Sequence, residues 1–365
     1  MRYMKVSIGS RIVKGPWGGG NLFVINFKNY LIKNGVEVIH DLSESNIDVI
    51  FLTDPRKKTQ SSSTFNHLDI AKYKKNVNPN VLVIQRINEC DERKGTNGIN
   101  NLYLEASRFA DHIIFVSSWL REIYLKLGMK KEKTSVIMAG ADSKIFNYSK
   151  VKKLDENNIK FVTHHWSSNF NKGFDVYQKF DELLSKPKYN NLSFTYIGNV
   201  NESVSFKNVI IKNPISGLNL AEELKKHDIY ITASINEPSG NHHIEAAQCG
   251  LPILFKNSGG IPEYCDGFGV GFDKRFEEAL DEIINNFKTY KSNLINYPFN
   301  SENMSKEILS LMNQLLEGND YYESKNFKSK IIFLTKQKFI KWYIKLDSSY
   351  KNFKSIIKQI ILKLF

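Results

Sequence analysis

The chain has 365 residues, 41% of them hydrophobic, and a net charge of +13. A single core rarely grows past about 250–300 residues, so two domains are expected. No apolar run reaches the ~20 residues that span a bilayer, and the N-terminus runs into a strand-like segment without the long apolar region of a secretory signal; the cytoplasm is the expected compartment. Cys90, Cys249 and Cys265 are too few and too scattered for a disulfide framework or a zinc knuckle.

Along the chain, short apolar runs alternate with amphipathic stretches, the pattern of repeated βα units and parallel sheets. Residues 5–9 read as a strand, followed by the glycine-rich run Gly15-Pro16-Trp17-Gly18-Gly19-Gly20 and a helix over 22–33. Strands follow at 48–53, 81–86 and 112–117, then a helix over 118–127 and a strand at 136–138. A polar, lysine-rich stretch at 148–158 marks a boundary, giving domains at 1–150 and 151–320. The second series reads as strands at 159–163, 193–197, 209–211, 229–232 and 252–255. Its helices are expected at 174–184, 220–226, 242–249, 273–287 and 302–316. Two such domains side by side place ligands in the crevice beyond the carboxyl ends of their strands.

The most informative stretch is 229–262, where a buried strand is followed by Glu237-Pro238-Ser239-Gly240 and then a helix. This order aims the free N–H groups and positive dipole end of the helix at the cleft, where they favour phosphate. Gly240 lets backbone approach a ligand, and Pro238 stiffens the loop that carries Glu237. Glu245 lies about one turn inside the helix. Ionised carboxylates only accept hydrogen bonds, so this pair suits the hydroxyls of a sugar and a ribose on either side of a diphosphate.

Glu237-Pro238-Ser239-Gly240, Glu245-Ala246-Ala247 and Gly250-Leu251-Pro252 resemble the E-x7-E signature of the GT-B glycosyltransferases of family 4. Further pieces resemble that family in its own order. They are the glycine run ending at Gly19 and Gly20, Val116-Ser117-Ser118, Gly140-Ala141-Asp142 with Phe146, Lys172-Gly173, and Gly259-Gly260 with Pro262-Glu263. The resemblance spans about residues 5–315 and implies two Rossmann-like domains facing across a cleft. It implies that Glu237 binds donor-sugar hydroxyls and stabilises an oxocarbenium-like transition state, that Glu245 binds the ribose, and that Lys172 neutralises the leaving diphosphate. Backbone N–H groups of Gly240, Asn241 and His242 would hold phosphate or sugar oxygens. It further implies a nucleotide diphosphate sugar as donor, a glycan or lipid-linked glycan as acceptor, retention of configuration and no metal. The chain has no Asp-x-Asp motif, in keeping with that last point.

One departure stands out. The family carries an arginine a few residues before its lysine, whereas this chain has Thr163-His164-His165-Trp166-Ser167-Ser168 there. Arg11, Lys14 or Arg86 is the expected substitute, reaching over from the first domain. Arg86 and Asn88 belong to a charge-dense run, 85–94, that would face the cleft as acceptor or donor contacts or as a solvated ion-pair loop. The histidine pairs 164/165 and 242/243 lack the companions of a zinc site, so His165 is expected to line a polar cleft or to pack in the core.

The charge itself is concentrated in the tail. Residues 325–365 hold eleven lysines against Asp347, and the rest of the chain is nearly neutral. Phe353, Ile356, Ile357, Ile360, Ile361 and Leu364 recur at helical spacing beside Lys351, Lys354, Lys358 and Lys363. A basic amphipathic helix at 321–365 suits either an anionic membrane surface, making the protein peripheral at an inner membrane face, or packing on the first domain. No nucleic-acid module accompanies the charge. Two other functions fit the same residues: a GT-B-type nucleotide-sugar epimerase, and a non-catalytic carbohydrate- or membrane-binding protein.

Overall fold

The computed structural model describes residues 4–13, 18–57, 63–148 and 153–318. The tail 321–365, Lys14 and the Gly15–Trp17 part of the glycine run lie outside the described residues.

The first domain runs β1 (Lys5–Ile8), α1 (Gly19–Lys33), β2 (Glu37–Ile39), β3 (Val49–Leu52), α2 (His67–Asn76), β4 (Leu82–Ile87), α3 (Asp91–Lys94), α4 (Ile99–Ser107), β5 (His112–Phe115), α5 (Ser118–Lys126) and β6 (Thr134–Val136). The second runs β7 (Ile159–His165), α6 (Phe174–Leu183), β8 (Leu192–Gly198), β9 (Ile210–Lys212), α7 (Gly217–Leu224), β10 (Ile229–Thr232), α8 (Asn241–Gln248) and β11 (Ile253–Lys256). It continues through α9 (Ile261–Cys265), β12 (Gly269–Phe272), α10 (Phe276–Asn285) and α11 (Phe287–Asn293), and the last described helix is α12 (Ser301–Gly318).

Each domain is one parallel six-stranded sheet, ordered β2-β1-β3-β4-β5-β6 and β12-β11-β10-β7-β8-β9. Both orders reverse direction at the first strand of the domain, between β1 and β3 and between β7 and β10. At such switch points the loops leave on opposite faces and open a crevice. Strands β3, β4, β5 and β10 are buried at every position because helices cover both faces. Alternate residues feed opposite layers: Val83 and Ile87 join one core, Leu82 and Ile84 the other.

Several expectations shift on inspection. The helix expected from residue 22 begins at Gly19, so Gly19 and Gly20 form the first turn of α1 rather than a loop before it. The strand expected to end at Thr163 runs on to His165, which turns both histidines into strand residues. The segment around Pro262, where no helix was expected, forms the short helix α9. The domain assignment 151–320 also differs at its end. Met304, Ile308, Met312 and Leu316 recur every four residues along α12 and pack with Phe27 and Leu31 of α1, in the core of the first domain. The chain therefore crosses between domains twice, and the crossings touch where Ser301 N–H donates to the Ala141 carbonyl at 2.8 Å.

Candidate active site

Glu237 follows β10 at the second switch point and is only 4% exposed. The loop that carries it is held from three sides. Asn236, just before it, has φ of +53°, a left-handed conformation that asparagine tolerates better than most residues. Its backbone N–H donates to Ser258 Oγ at 2.9 Å, and its side-chain amide donates to the Glu92 carbonyl of the first domain at 3.1 Å. Gly260 N–H donates to the Glu237 carbonyl at 2.9 Å. A Cβ on Gly259 would lie 2.5 Å from that carbonyl oxygen, which explains the glycine there. Gly240 has φ of +80°, and a Cβ on it would lie 2.8 Å from the rings of both His242 and His243.

The Glu237 carboxylate sits between two cations from different domains. Lys172 Nζ donates to Oε2, and Arg93 Nε lies 3.0 Å from Oε1. Burial pushes the carboxyl pKa up, but Lys172 and Arg93 outweigh it and hold the value at about 2. Glu237 is thus an anion at neutral pH and is unsuited to donating a proton. Burial lowers the Lys172 pKa even though the Glu237 charge opposes it.

Arg93, which sequence reasoning passed over, is the residue of the first domain that pairs with Glu237. It lies on α3, in the charge-dense run after β4, which forms an ion-pair cluster with Glu92 and Lys94 exposed at its edge. Buried Glu89 gathers Lys94 at 3.0 Å, Arg93 at 3.4 Å and Arg56 at 4.0 Å. Asn171 donates across the cleft to the Arg93 carbonyl at 3.4 Å. The available signal was position: Arg93 lies just beyond the carboxyl end of a central strand, opposite the Glu237 loop. Of the three cations expected to reach over, Arg86 lies instead with its guanidinium 4.0 Å above the ring of Phe23. Arg11 is exposed in the segment after β1. Asn88 is partly buried just after β4.

Glu245, inside α8, is 6% exposed and meets His164 Nε2 at 3.0 Å through Oε2. The two histidine pairs come together here. The rings of His165 and His242 are 4.7 Å apart, and those of His242 and His243 are 4.9 Å apart. His165 Nε2 lies 2.7 Å from the Tyr177 hydroxyl, and His242 Nε2 lies 2.9 Å from Thr232 Oγ1. Burial lowers the pKa of His165 and His242 well below the ordinary range and takes His243 to about 3, so these rings are neutral. His165 is therefore a packed core residue rather than a cleft lining. Among the described residues no group of three or more histidines, cysteines and carboxylates is arranged to hold a metal. Both ring nitrogens of His243 and the hydroxyl of Ser234 are buried without a hydrogen-bond partner.

Facing this from the first domain is the start of α1. Gly19 lies against Asn241, the first residue of α8, where an added Cβ would come within 2.9 Å of the side-chain amide. The N-termini of α1 and α8 thus meet across the cleft. The domains are also joined by Glu263, whose carboxylate accepts from the N–H groups of Ser118 and Trp119 at 2.7 Å each and so caps α5. Tyr264 donates to the Val116 carbonyl and accepts from Ala139 N–H at 2.9 Å.

Two parallel six-stranded α/β domains facing across a cleft define the GT-B fold of glycosyltransferases. Residues 150–293 match the family model described as Glycosyl transferases group 1. Among solved structures, Anabaena HepE in complex with UDP is 15% identical, with a TM-score of 0.63 over 85% of this chain and 100% of that one. The sucrose-phosphate synthase of Thermosynechococcus elongatus is also 15% identical, with a TM-score of 0.61 over 87% of this chain and 100% of that one. A glycosyltransferase from Rickettsia africae is 14% identical, with a TM-score of 0.59 over 86% and 99%. No curated protein sequence matches the chain. No helix among the described residues is long and apolar enough to cross a membrane.

Proposed function

We propose that this protein transfers a sugar from a nucleotide diphosphate sugar to a glycan or lipid-linked glycan acceptor, with retention of configuration and without a metal. The observation that carries the reading is the Glu237 carboxylate, kept ionised between Lys172 and Arg93 at the switch point of the second sheet. An anion fixed there stabilises positive charge developing on a departing sugar, and being fixed it needs no reorganisation. Lys172 and Arg93 supply positive charge beside it for a leaving diphosphate, and Arg93 takes the part of the arginine missing before Lys172. The N–H groups of Gly240, Asn241 and His242 at the start of α8 add hydrogen bonds to the same phosphates, with Gly19 and Gly20 opposite. Glu245, positioned by His164, accepts from the ribose hydroxyls.

The UDP held by HepE makes uridine diphosphate the first nucleotide to try. The membrane-surface reading of residues 325–365 stands on their lysines and on the apolar stripe beside them. It predicts liposome binding that weakens with salt and disappears when the segment is removed. The main test is thermal unfolding with UDP, GDP, ADP and CMP, on wild type and Glu245→Ala. A nucleotide at about 100 times its dissociation constant adds ~2.7 kcal/mol. A rise in midpoint with one diphosphate, reduced in the variant, supports the donor site and the ribose role. No rise with any nucleotide removes the donor reading. Sugar release from the donor only when acceptor is present separates transfer from epimerisation.

A further inference from the structure

Glu89 stands just past the end of β4 and is 5% exposed. Its backbone is fixed by the Tyr124 hydroxyl, which donates to the Glu89 carbonyl at 3.0 Å. Its carboxylate accepts from Arg93 Nη1 at 3.4 Å through each oxygen and from Lys94 Nζ at 3.0 Å. Arg56 approaches it at 4.0 Å and is itself gripped by Asp54, whose Oδ2 accepts from Nη2 at 2.7 Å and whose Oδ1 accepts from Nε at 2.9 Å. Charges therefore alternate along one chain: Asp54, Arg56, Glu89, Arg93, Glu237, Lys172. The chain begins past the end of β3 and ends just ahead of α6, so it runs from one domain into the other.

Within that chain Arg93 is held at two places and open at a third. Its Nε lies 3.0 Å from Glu237 and its Nη1 faces Glu89, while Nη2 makes no hydrogen bond among the described residues. The backbone beneath it is tied down separately. The Asp91 carboxylate accepts from the N–H groups of Gly98, Ile99 and Asn100 at 3.2, 3.0 and 2.9 Å and from Thr96 Oγ1 at 2.8 Å, which fastens α3 to the start of α4. From the second domain, Asn171 and Asn236 donate to the carbonyls of Arg93 and Glu92. The base of the Arg93 side chain is thus set by α3, and its planar head by the two acids. In the sugar-transfer reading Glu237 turns to the donor sugar, and Glu89 is then the acid left to keep the fork in place.

We propose that Glu89 is a positioning residue that acts through Arg93, holding the guanidinium by Nη1 so that its Nη2 edge is presented to the donor diphosphate. This deepens the sugar-transfer reading and rests on it for the diphosphate. Charge alone gives the opposite sign. An acid close to an anion repels it, so neutralising Glu89 would tighten a diphosphate if attraction and repulsion were all that mattered. Losing the hold instead leaves Arg93 with rotamers that binding must freeze, which weakens the diphosphate.

Titration calorimetry on the full-length chain reads that sign. UDP, GDP and ADP are titrated into wild type, Glu89→Gln, Arg93→Met and the double variant. Glu89→Gln keeps the shape of the side chain and removes its charge. It is expected to weaken the nucleotide that binds best about tenfold, and to change affinity less than about twofold when Arg93 is already replaced. Unchanged or tighter binding in Glu89→Gln overturns the positioning role. An equal loss in both backgrounds also overturns it, since Glu89 would then only support the fold of the wall. Arg93→Lys keeps a charge and lacks the fork, so it decides the matter if Glu89→Gln fails to fold. Affinity about tenfold below wild type in that variant supports the hold, and affinity within about twofold overturns it. A wild type that binds no nucleotide removes the sugar-transfer reading and the diphosphate with it. The hold of Glu89 on Arg93 is then judged by urea unfolding of the same four proteins: a midpoint shift in the double variant smaller than the sum of the single shifts keeps it, and additive shifts remove it.

Discussion

The two walls of the cleft are built from the same alternation of strand and helix, yet they manage their charge differently. In the second domain the buried carboxylates find partners on their own side: Glu237 has Lys172, and Glu245 has His164. His165, His242 and His243, packed nearby, are neutral. In the first domain Arg93 divides its charge between Glu89 at home and Glu237 across the cleft, and Arg86 forms no ion pair among the described residues. The first wall is therefore electrostatically incomplete by itself. A wall that is complete can hold its shape in isolation, whereas one with surplus positive charge is suited to meeting something negative.

The largest expected effect tests the second wall. Glu237→Gln keeps the shape of the side chain and removes its charge, and donor turnover should fall by about 10²–10³. Nucleoside diphosphate affinity should change far less. Turnover within threefold of wild type would show that the ionised carboxylate is not the centre of the site.

The contact between the walls comes next. Arg93→Met leaves Glu237 with Lys172 alone and should destabilise the protein by about 2 kcal/mol, read from urea midpoints. The same variant should bind the nucleoside diphosphate less tightly. Stability and affinity both unchanged would reduce the pair with Glu237 to an incidental contact.

The neutral histidines sharpen the contrast through pH. His243 titrates near 3 in the folded chain against 6.5 for the free side chain. Below pH 6.5 the unfolded chain takes up a proton that the folded one refuses, so stability present above 6.5 is lost as pH falls towards 3. His243→Gln should flatten the dependence of stability on pH between 6 and 4 by about 1.4 kcal/mol per pH unit. An unchanged slope would mean that His243 is not held neutral.

The smallest effect concerns the seam. Glu263 caps α5 of the other domain, and Glu263→Ala should cost about 1 kcal/mol. Equal midpoints for variant and wild type would mean that water replaces the cap without loss.

Much of this was legible in the residues. The alternation of apolar runs gave two parallel α/β domains because buried parallel strands need continuous hydrophobic sequence. The Glu237 loop could be placed because a strand, a proline–glycine turn and a helix follow within a dozen residues. Edge strand β2 escaped notice because it is three residues long and partly exposed. Helix α2 was missed although Asn66 and Asp69 form a full capping box, a signal that a search for asparagine as well as serine caps would have found. Arg93 was hard to prefer over Arg86 from sequence, since Arg86 is a residue of β4 and Arg93 lies a few residues beyond that strand, and only the turn at α3 aims Arg93 at Glu237. The union of the two histidine pairs was hidden because β7 and α8 lie some eighty residues apart and meet only where α8 packs against the sheet.

Helix α12 bears on how such a protein could be taken apart. Its apolar stripe, Met304, Ile308 and Met312, completes the core of the half that the chain left some 150 residues earlier. The halves are thus not interchangeable cassettes. A chimera that replaced everything after residue 150 with the second half of another protein of this fold would strip α1 of its own cover and expose Phe27 and Leu31. A graft that respects the packing needs two junctions, one ahead of Ile159 and one at the Asn300–Ser301 crossing, so that α12 travels with the half it covers.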